Sequence, residues 1–196
     1  MATLANDAPL PYRIRPARGS EVGELQNIDL ASATLFRSTG LIDFGELGEP
    51  SDPIPEDRLR QGFGDGLVWG AVDDRDNLVG FALCSDRGDD LYLEQLSVLP
   101  RHGRQGLGAR LVRRAIVEAE ARSYKRLSLS TFRKVAWNGP FYRKLGFREV
   151  PIWRLQDWQI EIRELQKQTM DVRQRCFMQR PVKRARFAIG MAANAN

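Results

Sequence analysis

Histidine is nearly missing from this chain: His102 is the only one in 196 residues. Cysteine is almost as scarce, with Cys84 and Cys176 alone. Both lie in strand-like runs with no second cysteine or histidine at metal-ligand spacing, so core packing is the expected role and no metal is expected. Nucleophilic catalysis through a thiol is disfavoured for the same reason, and His102 reads as a solvated turn residue. No apolar run is long enough to span a bilayer, and the opening MATLANDAPLPY lacks the basic segment and apolar stretch of a leader. A cytoplasmic protein with no membrane partner is expected. Nor is there a long basic block before the C-terminal tail. The net charge of +5 and pI near 9.5 arise with acidic residues mixed throughout, which permits an anionic ligand without requiring nucleic acid.

What is present centres on residues 91–123. Leu91 to Leu99 is strand-like and stops at Pro100, which has no N–H to give a ladder. Gly103-Arg104-Gln105-Gly106-Leu107-Gly108 then allows a tight bend and close approach to a ligand. A helix follows, with Leu107, Leu111, Ala115 and Ala119 on its apolar face and Arg113, Arg114, Glu118 and Arg122 opposite. Strand, glycine turn and helix start together make an anion site, because the first amides of a helix lack internal partners and the dipole is positive there. Taken alone, the glycines fit an ordinary turn equally well. A P-loop is excluded by the lack of a lysine followed by Ser or Thr, and the G-x-x-G-x-G spacing is not that of a dinucleotide fold.

Around this centre the pattern reads as one domain over 12–181, between a flexible N-terminus (1–11) and a flexible tail (182–196), with no internal repeat. Tyr12 to Ala17 is a first strand. Ser20 is a cap for a helix carrying Val22, Leu25, Ile28, Leu30 and Leu35. Residues 40–55 form a loop with apolar anchors, either a pocket wall or a surface excursion packed on the core. Glu56 to Phe63 is a short helix, and strands at 67–72 and 78–84 form a hairpin. The strand at 127–132 follows a helical crossover and so lies parallel to the Leu91 strand. A helix ending at Gly146 contains Tyr142, whose ordinary reading is an aromatic at a helix–sheet seam. Residues 151–165 fit a helix or an extended hairpin, and a last strand lies within 172–179.

VLPRHGRQGLGARLV resembles the acetyl-CoA signature of the GNAT superfamily of N-acetyltransferases, (Gln/Arg)-x-x-Gly-x-(Gly/Ala). Gly106 and Gly108 fill the small positions, while Gly103 stands at the Gln/Arg position beside Arg104 and Gln105. A second block, LSTFRKVAWNGPFYRKLGF, is similar to the superfamily's later segment ending in Phe-Tyr-x-x-x-Gly-Phe. The resemblance spans roughly Tyr12 to Pro181 and is strongest over Leu93 to Phe147. It implies a single α/β (α+β) domain: a mixed, mostly antiparallel twisted sheet flanked by helices, with a splayed parallel pair of central strands. It also implies acetyl-CoA as donor, held by backbone atoms of Leu96 and Val98 and by the turn of Arg104, Gln105, Gly106, Leu107, Gly108 and Ala109. Tyr142 falls where the superfamily often protonates the departing thiolate. The asparagine often found seven residues earlier is Val135 here, with Asn138 nearer.

The implied activity is direct transfer of acetyl to a primary amine of a small molecule or peptide, by a monomer or homodimer. Glu94 is the expected base, placed by period-two alternation on one face with Tyr92, Leu96 and Val98. The alternative for Glu94 is a strand carboxylate paired with an arginine. A silent CoA-binding sensor remains a rival reading. A nucleic-acid module, suggested by Arg101, Arg104, Arg110, Arg113 and Arg114, is the weaker one, because a solvated helix face accounts for most of these.

Overall fold

A computed structural model describes residues 11–183 except 43, 46–49 and 51. The flexible ends expected at 1–11 and 182–196 therefore lie almost wholly outside the described residues. Among the described residues, seven strands form one sheet: β1 (Arg13–Pro16), β2 (Val68–Val72), β3 (Leu78–Arg87), β4 (Asp90–Val98), β5 (Arg126–Phe132), β6 (Arg148–Glu149) and β7 (Arg175–Pro181). Their order is β1-β2-β3-β4-β5-β7-β6, and every neighbouring pair is antiparallel except β4–β5. The helices of the described residues flank it: α1 (Val22–Ala33), α2 (Glu56–Gly64), α3 (Leu107–Ala121), α4 (Gly139–Lys144) and α5 (Asp157–Gln166). Among the described residues, no helix is long and apolar enough to cross a membrane.

The apolar stripe of α3 (Leu107, Leu111, Val112, Ala115, Ile116, Ala119) is buried against the sheet with Leu91, Leu93, Leu127 and Leu129. Adjacent residues of β4 show that α1 covers the opposite face: Leu96 packs toward Gly108 of α3, while Ser97 Oγ donates to Asp29 of α1 at 2.9 Å. Both cysteines are free and buried, as their strand positions imply. Burial pushes the Cys176 thiol up to about 11 and the Cys84 thiol well above its usual range.

Two local expectations are corrected, and one open alternative is settled. Ser20 does not cap α1; it lies in a 3₁₀ turn (Gly19–Glu21), where the Glu21 carboxylate accepts from the Arg18 N–H at 2.7 Å. Leu35 is outside α1, in a second 3₁₀ segment (Thr34–Thr39), and is exposed. Of the two readings for residues 151–165, the helix holds: α5 lays Trp158 and Ile162, with Leu155 beside them, over Tyr92, Val150 and Phe177 in a second small core.

Candidate active site

The glycine turn forms as its sequence demands. Pro100 opens a 3₁₀ turn (Pro100–His102), Arg104 takes a left-handed φ of 58°, and Gly106 caps α3 at φ 77°. The Gly106 carbonyl starts the helix by accepting from Arg110 N at 3.1 Å. The consecutive amides from Arg104 through Gln105, Gly106, Leu107 and Gly108 to Ala109 have no backbone acceptor among the described residues. A row of unpaired donors at a helix start is a ready seat for phosphate oxygens. A Cβ on Gly108 would sit 3.5 Å from Phe141 and 3.8 Å from Leu96, so the helix start also touches both α4 and β4.

Beside this turn the sheet opens. β4 and β5 pair only from Asp90/Arg126 to Leu93/Leu129, although β4 runs on to Val98 and β5 to Phe132. The cause is visible in β4, where Cys84 pairs with Leu93 but Leu83 pairs with Gln95, leaving Glu94 as the extra residue of a β-bulge. Leu99 N donates to Val79 O at 2.9 Å. Alternation along an antiparallel ladder then turns the backbone groups of Leu96 and Val98 away from β3, into the opening. At the closed end, buried Asp90 accepts from Arg126 Nε at 2.6 Å and from Ser128 Oγ, tying the two strands together.

The bulge corrects the placement of Glu94. An extra residue breaks the period of two, so Glu94 does not share the face of Leu96 and Val98. It projects instead to Arg58 of α2, whose Nη2 donates to Glu94 Oε1, and lies 3.8 Å from Arg87 Nη2. Arg87 stands over the ring of Trp158, which packs on Tyr92, so Glu94 keeps Tyr92's side of the sheet.

A cavity of about 580 Å³ fills the opening, with Glu94, Leu96, Tyr142 and Asn138 all in its walls. The described loop residues Ile42, Phe44, Gly45, Pro50 and Asp52 line it too, which favours the pocket-wall reading of that loop. Tyr142 packs edge-on against Phe141 and Phe147, and burial raises its pKa above the usual phenol value. Asn138 is the residue before α4, and its carbonyl accepts from Tyr142 N at 3.0 Å, seating the tyrosine in the first turn. His102 is not in these walls; its Nδ1 hydrogen-bonds the Tyr12 hydroxyl at 2.9 Å.

The wall also contains residues that the sequence did not announce. Asp29 of α1 accepts from Gln95 Nε2, Ser97 Oγ and Ile54 N, and burial raises its pKa despite those bonds. Arg175 of β7 reaches in from the other side. Of the arginines that raised nucleic acid, Arg110 donates to Tyr12 O, while Arg114 pairs with Glu118 and lies over Trp69.

The model of the acetyltransferase (GNAT) family matches residues 36–147, more than half of the chain. The chain belongs to that family. Solved structures of acetyltransferases share its fold. The ribosomal-protein-S18-alanine N-acetyltransferase of Escherichia coli matches with a TM-score of 0.61 at 19% identity, covering 94% of this chain and 99% of the other. The PaiA N-acetyltransferase of Thermoplasma acidophilum, solved with coenzyme A, gives 0.64 at 15% identity over 87% of this chain and 98% of its own. A phosphinothricin acetyltransferase of Sinorhizobium meliloti, solved with acetyl-CoA, gives 0.61 at 16% identity, covering 95% and 94%. At such identities the likeness is one of fold alone.

Proposed function

We propose that the chain is an acetyl-CoA-dependent N-acetyltransferase that moves acetyl directly to a primary amine of a small molecule or peptide. The observation that carries this reading is the run of unpartnered amides from Arg104 to Ala109 beside strands that part at Glu94, within an acetyltransferase family chain. The cofactor fits these residues: the amides suit a pyrophosphate, and the free backbone groups of Leu96 and Val98 suit an amide-bearing arm. Gly103 in place of Gln or Arg matters little to a site made of main-chain donors.

Bound acetyl-CoA supplies the thioester carbonyl that the amine nitrogen attacks, with the C–N bond forming as the C–S bond breaks. The Glu94 carboxylate takes a proton from the incoming ammonium, directly or through water, so that the nitrogen lone pair is free. Arg58 and Arg87 pair with that carboxylate and fix its direction. The Tyr142 hydroxyl gives its proton to the departing sulfur, its raised pKa keeping it protonated until then, and the second proton that the nitrogen sheds on becoming an amide restores the phenol.

The test is to incubate a panel of primary amines with acetyl-CoA, following free thiol and the mass of the amine together. Thiol release matched by N-acetylated product is expected. Thermal stabilisation by acetyl-CoA with no acetylated amine anywhere in the panel would make the protein a CoA-binding sensor. Absence of stabilisation would remove the cofactor site itself.

A further inference from the structure

Arg175 is a buried-side cation without an anion. Its Nε donates to Gln166 Oε1 at 3.1 Å and to Ser130 Oγ at 3.3 Å; its Nη2 donates to Ser130 O at 3.0 Å and Ser130 Oγ at 3.2 Å. Its guanidinium also stands 4.8 Å from the Phe132 ring centre. These contacts fix its plane, and Nη1 has no hydrogen-bond partner among the described residues. No carboxylate among them lies within ion-pair distance either. The ionisable groups that face it are Tyr92, Cys176 and Tyr142, all held neutral by burial.

Its neighbours are treated differently. Arg58 has Glu94, Arg126 has Asp90 and Arg133 has Glu149. An arginine never loses its charge under ordinary conditions. Burial without a counter-charge is unfavourable, and here it pulls the Arg175 pKa down. Arg175 nevertheless lines the cavity that also holds Glu94 and Tyr142, and that cavity has the volume of a small-molecule site, roughly 300–1,000 Å³.

We propose that Arg175 selects the acceptor: the amine acetylated here carries a carboxylate, which binds Arg175 through Nη1 while the amino group faces Glu94 and Tyr142. The inference rests on the transferase reading and adds the chemical class of the acceptor to it. Ser130 and Gln166 are positioning residues, since they act only by orienting the guanidinium.

The test uses matched acceptors that differ only in charge: glycine, β-alanine, γ-aminobutyrate and ε-aminocaproate, each against its primary amide, with rates corrected for the fraction of free amine. The best acid should exceed its amide in kcat/KM by about tenfold to a hundredfold, the scale of a hydrogen bond to a charged group. Arg175→Gln should bring that ratio to about one, mainly through KM for the acid, with the amide rate and the acetyl-CoA melting shift kept. Arg175→Lys, which retains the charge, should keep part of the preference even where the glutamine variant folds poorly. Equal rates for acids and amides in the parent protein would overturn the proposal. So would no turnover of any pair, or a preference that survives Arg175→Gln. In those cases a melting shift with acetyl-CoA would leave the cofactor site standing, whereas loss of that shift would strike the transferase reading itself.

Discussion

The two ends of the cleft are made of different material. At the head of α3 the proposed contacts are main-chain amides, ordered by one continuous turn in which Gly106 sits at φ 77°. In the acceptor cavity the walls are side chains that arrive from α1, β4, β5, α4 and β7. The first kind of site tolerates changes of side chain but not of backbone conformation. The second has the opposite sensitivity, so the same architecture can keep one donor while its acceptor side diverges.

The sharpest way to break this contrast is at Glu94. Glu94→Gln should lower turnover at neutral pH by roughly 10²- to 10⁴-fold, the usual scale for general catalysis, with acetyl-CoA affinity unchanged. Part of the loss should return as pH rises and free amine becomes abundant. Arg58→Gln is the comparator, since it removes the partner but keeps the carboxylate. If both variants lose the same small amount of stability and neither loses turnover, Glu94 is an ion-pair residue only.

At the main-chain end, acetyl-CoA at a hundredfold excess over its dissociation constant should stabilise the folded protein by about 2.7 kcal/mol, and NADH should do little. Gly108→Val should abolish that gain in a protein that still folds, because the added Cβ meets Phe141 and Leu96 at ordinary contact distance and the methyl groups it carries screen the amides. A full melting shift in this variant would disprove close backbone approach at Gly108.

Tyr142→Phe should lower turnover by about tenfold, or about 1.4 kcal/mol of barrier, with the melting temperature little changed. A donor thioester with a more acidic thiol should narrow the deficit; an equal deficit with both donors would return Tyr142 to the core. The sign of its pKa shift adds a check. Burial raises the phenol above its ordinary value, so it stays protonated through pH 10, and parent and variant should show pH–rate profiles of the same shape below that point.

The smallest effect expected is on stability without ligand. Gly106→Ala forces a Cβ into a left-handed backbone and should destabilise by about 1–2 kcal/mol in thermal or urea unfolding. Gly108→Ala, where φ is not left-handed, should be near neutral.

The same contrast decides what could be read in advance. Pro100, Gly106 and the apolar stripe of α3 are local signals, as is Gly146, whose φ is 87° just past α4. Each acts within a few residues, so strand, turn and helix were legible, and with them the row of unpaired amides at the head of α3. The bulge at Glu94 is a matter of register with β3 and leaves no mark in β4 itself. For that reason plain alternation puts Glu94 rightly with Tyr92 but wrongly with Leu96 and Val98. Asp29 and Arg175 are single charged residues in patterns full of charge; what distinguishes them is burial against elements far away in the chain. The stretch around Trp158 fitted helix and hairpin alike, and the need to cover Tyr92 and Phe177 settled it.

The strand order also sets a sequence of assembly. From β1 to β4 each strand pairs with its predecessor, so the half of the sheet that precedes the glycine turn closes by neighbours meeting as the chain emerges. The other half cannot do so, because β7 enters between β5 and β6 and brings Arg175 with it. During synthesis the glycine turn at the head of α3 is thus complete well before the β7 wall of the cavity, and an intermediate that has α3 but lacks β7 presents the bare edge of β5. Capture of such a chain by acetyl-CoA would stabilise the first half of the molecule before the residue that chooses the acceptor has been made.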